Sequence, residues 1–147
     1  MKIPISALLA QKDPVIRWVA PGATVQDAVA AMAAHRIGCI VIIDDDHLAG
    51  LFTENDLLVR VVAAGLDPRT TPITRVMSPR PITVEPSLTL DKTMALISEK
   101  RVRHLPVVEG GRLVGLVSIG DLNKWIVERL QSEADALRSY VTGQYPG

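Results

Sequence analysis

Two short stretches place a hydroxyl and a carboxylate three residues apart at the start of an apolar periodic pattern. In Gly50-Leu51-Phe52-Thr53-Glu54-Asn55-Asp56-Leu57 the pair is Thr53 and Asp56; in Gly115-Leu116-Val117-Ser118-Ile119-Gly120-Asp121-Leu122 it is Ser118 and Asp121. This spacing is the ordinary signature of a helix N-cap, where the hydroxyl accepts from a backbone N–H and the carboxylate reaches back. The same groups also suit recognition. A helix N-terminus is worth roughly 0.3–1 kcal/mol to a nearby anion. A hydroxyl can donate to a phosphate oxygen, and a carboxylate can accept from both hydroxyls of a vicinal diol. Each corner is therefore fitted either to capping alone or to reading a phosphate and a ribose. Gly50 and Gly115 lack a Cβ, which would let a flat ring or another backbone approach.

The elements that must position these corners can be read along the chain. Ser6 to Lys12 predicts a short helical lead-in, closed by Asp13-Pro14 because the residue before proline is driven out of the helical region. Val15 to Val19 alternates as a strand. Pro21-Gly22 turns the chain, and Thr24 with Asp27 caps a helix over about 25–35, whose positions Val25, Ala28, Val29 and Met32 keep helical spacing. Ile37-Gly38 closes it. The β-branched run Ile40 to Ile43 predicts a strand buried on both faces, followed by a polar turn at Asp44-Asp45-Asp46-His47 and a partner strand from Leu48 to Phe52. A helix from about Glu54 to Ala64 is stopped by Gly65 and Pro68.

A shift of sixty-five residues lays this unit on the remainder of the chain. Val19-Ala20-Pro21 falls on Val84-Glu85-Pro86, Thr24 on Thr89, Arg36 on Arg101, Ile40–Ile43 on Leu105–Val108, and the turn on Glu109-Gly110-Gly111-Arg112. The chain reads as an internal repeat. The expected fold class is α/β (α+β): two β-α-β-β-α repeats packed about a pseudo-twofold axis, since neither alone covers both faces of a small sheet. The boundaries read are 1–14 for the helical lead-in, 15–65 for the first repeat, 66–80 for a Pro- and Thr-rich linker and 81–130 for the second repeat. Residues 131–147 read as one more helix, with Leu137, Tyr140 and Val141, and a tail.

Composition narrows the function classes. Hydrophobic residues make up 48% of the 147 and aromatics only 3%, so the core must be aliphatic. Sixteen basic against sixteen acidic residues remove the electrostatic case for a nucleic-acid or anionic-membrane partner. The single Cys39 has no internal disulfide partner, and a reducing compartment is the simplest setting. The N-terminus is too short in apolar residues for a signal peptide, and no segment approaches the roughly twenty needed to span a bilayer, so a soluble, cytoplasmic protein is expected.

The order Gly-apolar-x-Ser/Thr-x-x-Asp, preceded by an apolar run and a polar turn and present twice, resembles a tandem pair of CBS domains, the regulatory modules named after cystathionine β-synthase. Val76-Met77-Ser78-Pro79, Arg101-Val102-Arg103-His104-Leu105-Pro106-Val107-Val108 and Ser118-Ile119-Gly120-Asp121 carry the likeness further, over nearly all of residues 13–130. The resemblance implies two clefts that bind adenine nucleotides or related adenosyl compounds such as AMP, ADP, ATP or NAD, the aspartate reading ribose and the hydroxyl reading phosphate. It implies a second cleft of Ile82 and Thr83 beside the base, Arg103 and His104 toward phosphate, Ser118, and Asp121 on ribose, with Pro106 among its binding residues. It implies a first cleft of Thr53 and Asp56, with Ile37 and Gly38 near the base. In the family it resembles, close single-module members often carry arginine where this chain has Asn55, and Arg103-His104 aligns with Gly38-Cys39, so unequal sites are expected, the second stronger.

The leading expectation is a stand-alone, non-catalytic signal-transduction module that forms a homodimer through its helices and acts on a separate target protein. A structural dimerisation module with empty clefts is the alternative, in which both corners only cap helices. A nucleotide hydrolase or a dinucleotide-dependent redox enzyme is disfavoured, since no general base, metal set or activated nucleophile stands out. Asp44-Asp45-Asp46-His47 suits a turn better than a metal, and Cys39 has no spacing that joins it to His35 or His104. Met77 and Met94 read as packing residues; Trp18 and Trp125 fit either an outer face or an intermodule contact.

Overall fold

The computed structural model describes residues 2–142; Met1 and the tail 143–147 lie outside the described residues. In chain order the elements are α1 (Ile5–Leu9), β1 (Trp18–Val19), α2 (Val25–His35), β2 (Cys39–Asp44), β3 (His47–Thr53), α3 (Glu54–Asp56), a π-helical segment (Leu57–Val62), α4 (Ile73–Val76), β4 (Ser78–Pro79), α5 (Leu90–Lys100), β5 (His104–Glu109), β6 (Arg112–Ser118) and α6 (Ile119–Val141).

The repeat is reproduced down to its irregularities. Strand β2 pairs antiparallel with β3, Cys39 opposite Thr53, with a register slip between Ile42 and Ile43. Strand β5 pairs with β6, His104 opposite Ser118, with the slip between Val107 and Val108. Both hairpins turn on two residues of positive φ, 50° and 66° at Asp45 and Asp46, 59° and 80° at Gly110 and Gly111. The acidic run is thus a tight hairpin turn, whose left-handed positions aspartate tolerates better than most residues. Helices α2 and α5 both end on a left-handed arginine, Arg36 at φ 52° and Arg101 at φ 55°. The parallel pairing of β1 with β2 is matched in the second repeat by a single bridge from Val84 to Val107.

Strand alternation divides the core. Ile40, Ile42 and Phe52 point toward α2 and form one cluster with Val25, Ala28, Met32 and Val61. Leu105, Val107 and Val117 form its counterpart with Leu90, Ile97 and Leu122. From the opposite face of the first sheet Cys39, Val41 and Leu51 meet Leu113 and Leu116 of the second repeat, and this third cluster joins the halves. The double-sided burial expected for 40–43 is found at Ile40, Val41 and Ile42, while Ile43 is partly exposed.

The segments outside the repeats are exchanged. Ile5 and Leu8 of α1 lie in the second repeat's core, with Ile5 N donating to Leu88 O at 2.8 Å. Ile73 and Val76 of α4 lie in the first repeat's core, with Ile73 N donating to Ala23 O at 2.9 Å. These contacts make Ile5 equivalent to Ile73, and they show that the first connection is longer: eighteen residues from Ile5 to Ala23, fifteen from Ile73 to Leu88.

Two helices differ from the sequence expectation. After Asp56 the backbone widens into π turns, as in the bond from Ala63 N to Leu58 O at 2.9 Å; Val61 then enters the core while Arg60 Nη1 donates to Met77 O at 3.0 Å. Helix α6 runs unbroken for 23 residues, because no glycine or proline interrupts 121–141, so the helix expected beyond Leu130 is its continuation.

Replacing the fully buried Ile5 by alanine should cost about 2–5 kcal/mol, as for other core truncations. Urea unfolding of Ile5→Ala beside Ile73→Ala checks this: similar losses are expected, whereas a dispensable lead-in would leave Ile5→Ala unchanged.

Candidate functional site

Both strand-to-helix corners form complete capping boxes. At the second, Ser118 N donates to Asp121 Oδ2 at 2.9 Å and Asp121 N donates to Ser118 Oγ at 3.0 Å. At the first, the same bonds between Thr53 and Asp56 measure 3.0 and 3.2 Å. In each, the residue after the cap is tied to the carbonyl just before the central strand, Glu54 N to Gly38 O at 3.0 Å and Ile119 N to Arg103 O at 2.9 Å. Capping therefore fixes each carboxylate through one oxygen. It leaves the Ser118 O–H able to donate elsewhere, since the cap uses only a lone pair of Oγ.

Beyond the cap the corners diverge. Asp56 is 6% exposed; the Ser78 hydroxyl donates to it at 3.4 Å and Arg60 Nε stands 3.7 Å from Oδ1. Asp121 is half-buried and opens on a cavity of about 400 Å³, within the roughly 300–1,000 Å³ of small-ligand clefts. Lys12 reaches this corner from the N-terminal segment, its Nζ 2.6 Å from Asp121 Oδ2 and 2.7 Å from Leu116 O. In the first sheet β4 covers the equivalent edge, pairing Ser78 with Leu51; in the second, the lysine ammonium takes the Leu116 carbonyl.

The cavity lies across the two repeats. Residues 12–17 form one wall, 36–39 of the first repeat another, and His104, 114–116, Ser118 and Asp121 of the second repeat the third. Of the sequence-derived site residues it brings together Ile37, Gly38, His104, Ser118 and Asp121. Ile37 and Gly38, grouped from sequence with Thr53 and Asp56, are thus placed with the other corner, because the repeats face each other through β2 and β6. Arg103 lines a separate depression between α5 and α6, and Pro106 is buried in β5 opposite Leu116. Ile82, Thr83, Thr53 and Asp56 are absent from the cavity walls. The cations that line it, Lys12, Arg17 and Arg36, were not singled out from sequence; no local motif marks them, since Lys12 stands 109 positions from Asp121.

Gly50 and Gly115 make room for aliphatic side chains. A Cβ on Gly50 would lie 2.5 Å from Met77 Sδ, and one on Gly115 would lie 2.8 Å from Leu9 Cδ1. The close approach expected at these glycines is made by the exchanged segments themselves.

Electrostatics favour an anion beside a charged carboxylate. Burial pushes the Asp121 carboxyl up, but the hydrogen bonds from Lys12 and Ser118 and the lysine charge outweigh it, leaving it below the usual range. Burial is also the main reason His104 titrates below its ordinary value, against the opposing pull of Asp121, so the imidazole is neutral at pH 7. The three cations face two carboxylates, Asp13 and Asp121. Such a site can hold a phosphorylated ligand and hydrogen-bond its hydroxyls.

A duplicated α+β chain with a cavity walled by both repeats is, as a class, a tandem-repeat module with a small-ligand cleft. The chain belongs to the CBS domain family, whose model matches residues 5–63 and 73–128. It is 32% identical to the mitochondrial CBS domain-containing protein CBSX3 of Arabidopsis thaliana over 87% of this chain, and spans 65% of that relative's length. A solved CBS-domain structure from Burkholderia ambifaria superposes with a TM-score of 0.82 at 38% identity, covering 85% of this chain and 94% of that one. A CBS domain protein from Pyrobaculum aerophilum, solved in complex with AMP, superposes with a TM-score of 0.72 at 28% identity, covering 81% of this chain and 89% of that one.

Burial, aided by the Asp56 charge, pushes the Cys39 thiol up to about 12, so at pH 8 it stays protonated in the folded protein. A thiol-reactive chromophore at pH 8 should leave native protein unlabelled and release colour for the one cysteine after unfolding in guanidinium. Rapid labelling of the native state would contradict this burial.

Proposed function

We propose that the protein is a non-catalytic regulatory module that binds an adenine nucleotide in the cavity at Ser118 and Asp121. The observation that carries the reading is the convergence, in one cavity, of a capped hydroxyl–carboxylate corner with three cations and the Ile37–Gly38 turn of the other repeat. In this reading Asp121 accepts from the ribose hydroxyls, the Ser118 hydroxyl and the cations hold phosphate, and Ile16, Ile37 and Gly38 flank the base. The AMP complex of the Pyrobaculum relative supports the ligand class. Ile82, Thr83, Arg103, Pro106, Thr53 and Asp56 take secondary parts, and the first corner, whose carboxylate is already engaged by Ser78 and Arg60, is the weaker site. The bound state passes to a separate target protein through a homodimer. Exposed Leu58, Val59 and Val62 on the π-helical segment and Val127 and Leu130 on α6 supply an apolar surface for it.

A structural dimerisation module is the second reading, favoured by one observation: both corners close complete capping boxes, which give each hydroxyl–carboxylate pair a structural role of its own. The two readings separate in a thermal-shift panel of AMP, ADP, ATP, NAD and S-adenosylmethionine. Ligand at a hundredfold over its dissociation constant should add about 2.7 kcal/mol, an upward shift of several degrees at roughly 2–4 °C per kcal/mol. No shift with any of them would leave the structural module. Titration calorimetry should then show Asp121→Ala losing at least about tenfold in affinity, one bidentate contact of about 1.4 kcal/mol or more. Asp56→Ala should chiefly lower the melting temperature. Binding abolished by Asp56→Ala and untouched by Asp121→Ala would reverse the ranking of the corners.

A further inference from the structure

Asp121 Oδ2 is already full. It accepts from Ser118 N at 2.9 Å and from Lys12 Nζ at 2.6 Å, while among the described residues no donor meets Oδ1. A vicinal diol held by both oxygens needs a place at Oδ2 as well as at Oδ1. Ser118 N–H is fixed by the capping box, so the donor able to leave is Lys12. It sits on a stretch without regular structure, its side chain is 34% exposed, and its second bond, to Leu116 O, is a single neutral acceptor. At the first corner the exchanged segment brings only the neutral Ser78 hydroxyl to Asp56, and the cation there, Arg60 at 3.7 Å, comes from the segment that follows the corner itself. A lysine leaving a carboxylate inside a half-closed cavity needs another anion, and a ligand phosphate supplies one.

Resting on the nucleotide reading above, we propose that Lys12 is an exchangeable counter-ion that selects for phosphate. In the free protein it occupies Asp121; when a nucleotide binds, the ribose hydroxyls take its place and the ammonium moves to the phosphate. A neutral nucleoside offers no anion for the displaced lysine, and a sulfonium compound adds a cation beside it, so both are disfavoured. The three additional residues between α1 and the first repeat give the exchange its reach, placing a cation where the shorter second connection places Ser78 and Pro79.

The test compares AMP with adenosine by titration calorimetry on the wild-type chain, Lys12→Met and Lys12→Arg, with melts of the free proteins to establish folding. Lys12→Met should weaken AMP by about tenfold or more while adenosine binds as well or better, its competitor having gone; Lys12→Arg should keep the wild-type preference. Lys12→Gln, which retains a polar tip, replaces the methionine variant if that one does not fold, with the same expectation. Equal loss for both ligands would make Lys12 a structural latch, and no change for either would remove it from recognition; both results overturn the inference while leaving nucleotide binding intact. Wild-type protein that binds neither ligand would overturn the nucleotide reading and this inference with it.

Discussion

Each repeat builds a sheet with two apolar faces and owns helices for only one. That imbalance governs the molecule. Ile40 and Ile42 are covered by α2, but Cys39 and Val41, on the alternate positions, bury against Leu113 and Leu116 of the other repeat, with Ile16 beside them. Apolar area left in water costs about 25 cal/mol per Å², so the halves meet through β2, β3 and β6. The position of the cavity follows, because the turn before β2 of one repeat and the corner after β6 of the other end up on the same rim. The same packing buries Cys39, which makes the thiol a core residue and removes it from nucleophilic chemistry.

The exchange of α1 and α4 ties the assembly together and also breaks its symmetry. Each short helix completes the core of the repeat that sequence order would not assign to it, and each lays a side chain over the glycine of the facing strand, Leu9 on Gly115 and Met77 on Gly50. After those contacts the paths separate. The shorter connection pairs as β4 and brings a serine hydroxyl to Asp56, which becomes a buried structural carboxylate. The longer one stays irregular, lines the cavity and brings a lysine to Asp121, which remains half-open. Two corners with the same capping chemistry thereby acquire different surroundings, one closed and one receptive.

Much of the fold was legible in the chain, because its signals are local. The Thr24–Asp27, Thr53–Asp56 and Ser118–Asp121 spacings are capping chemistry within one turn, and all three boxes are present. The β-branched run 40–43 announced a doubly buried strand, and the constant shift of sixty-five residues carried α2, β2, β3 and their corner onto α5, β5, β6 and theirs. The parts that were not legible depend on distant residues. The π turns after Asp56 follow from the joint pull of the core on Val61 and of the Met77 carbonyl on Arg60, two partners that propensity does not see. The grouping of Ile37 and Gly38 with Asp121 follows from how the sheets face, and Lys12 gives no sign in its neighbours that it meets a carboxylate 109 positions away.

By itself the sequence determined the repeat, its β-α-β-β-α order, the hydroxyl–carboxylate corners and, through their ordered motifs, the CBS domain family. Those features are written in spacing and alternation, which act over one turn of helix or one strand. Only the tertiary structure decided which wall faces which corner, which carboxylate is sealed and which cation guards the open one. These are set by the burial of the second sheet faces and by a difference of three residues between two connections, and a chain acquires such contacts only when its halves are pressed together.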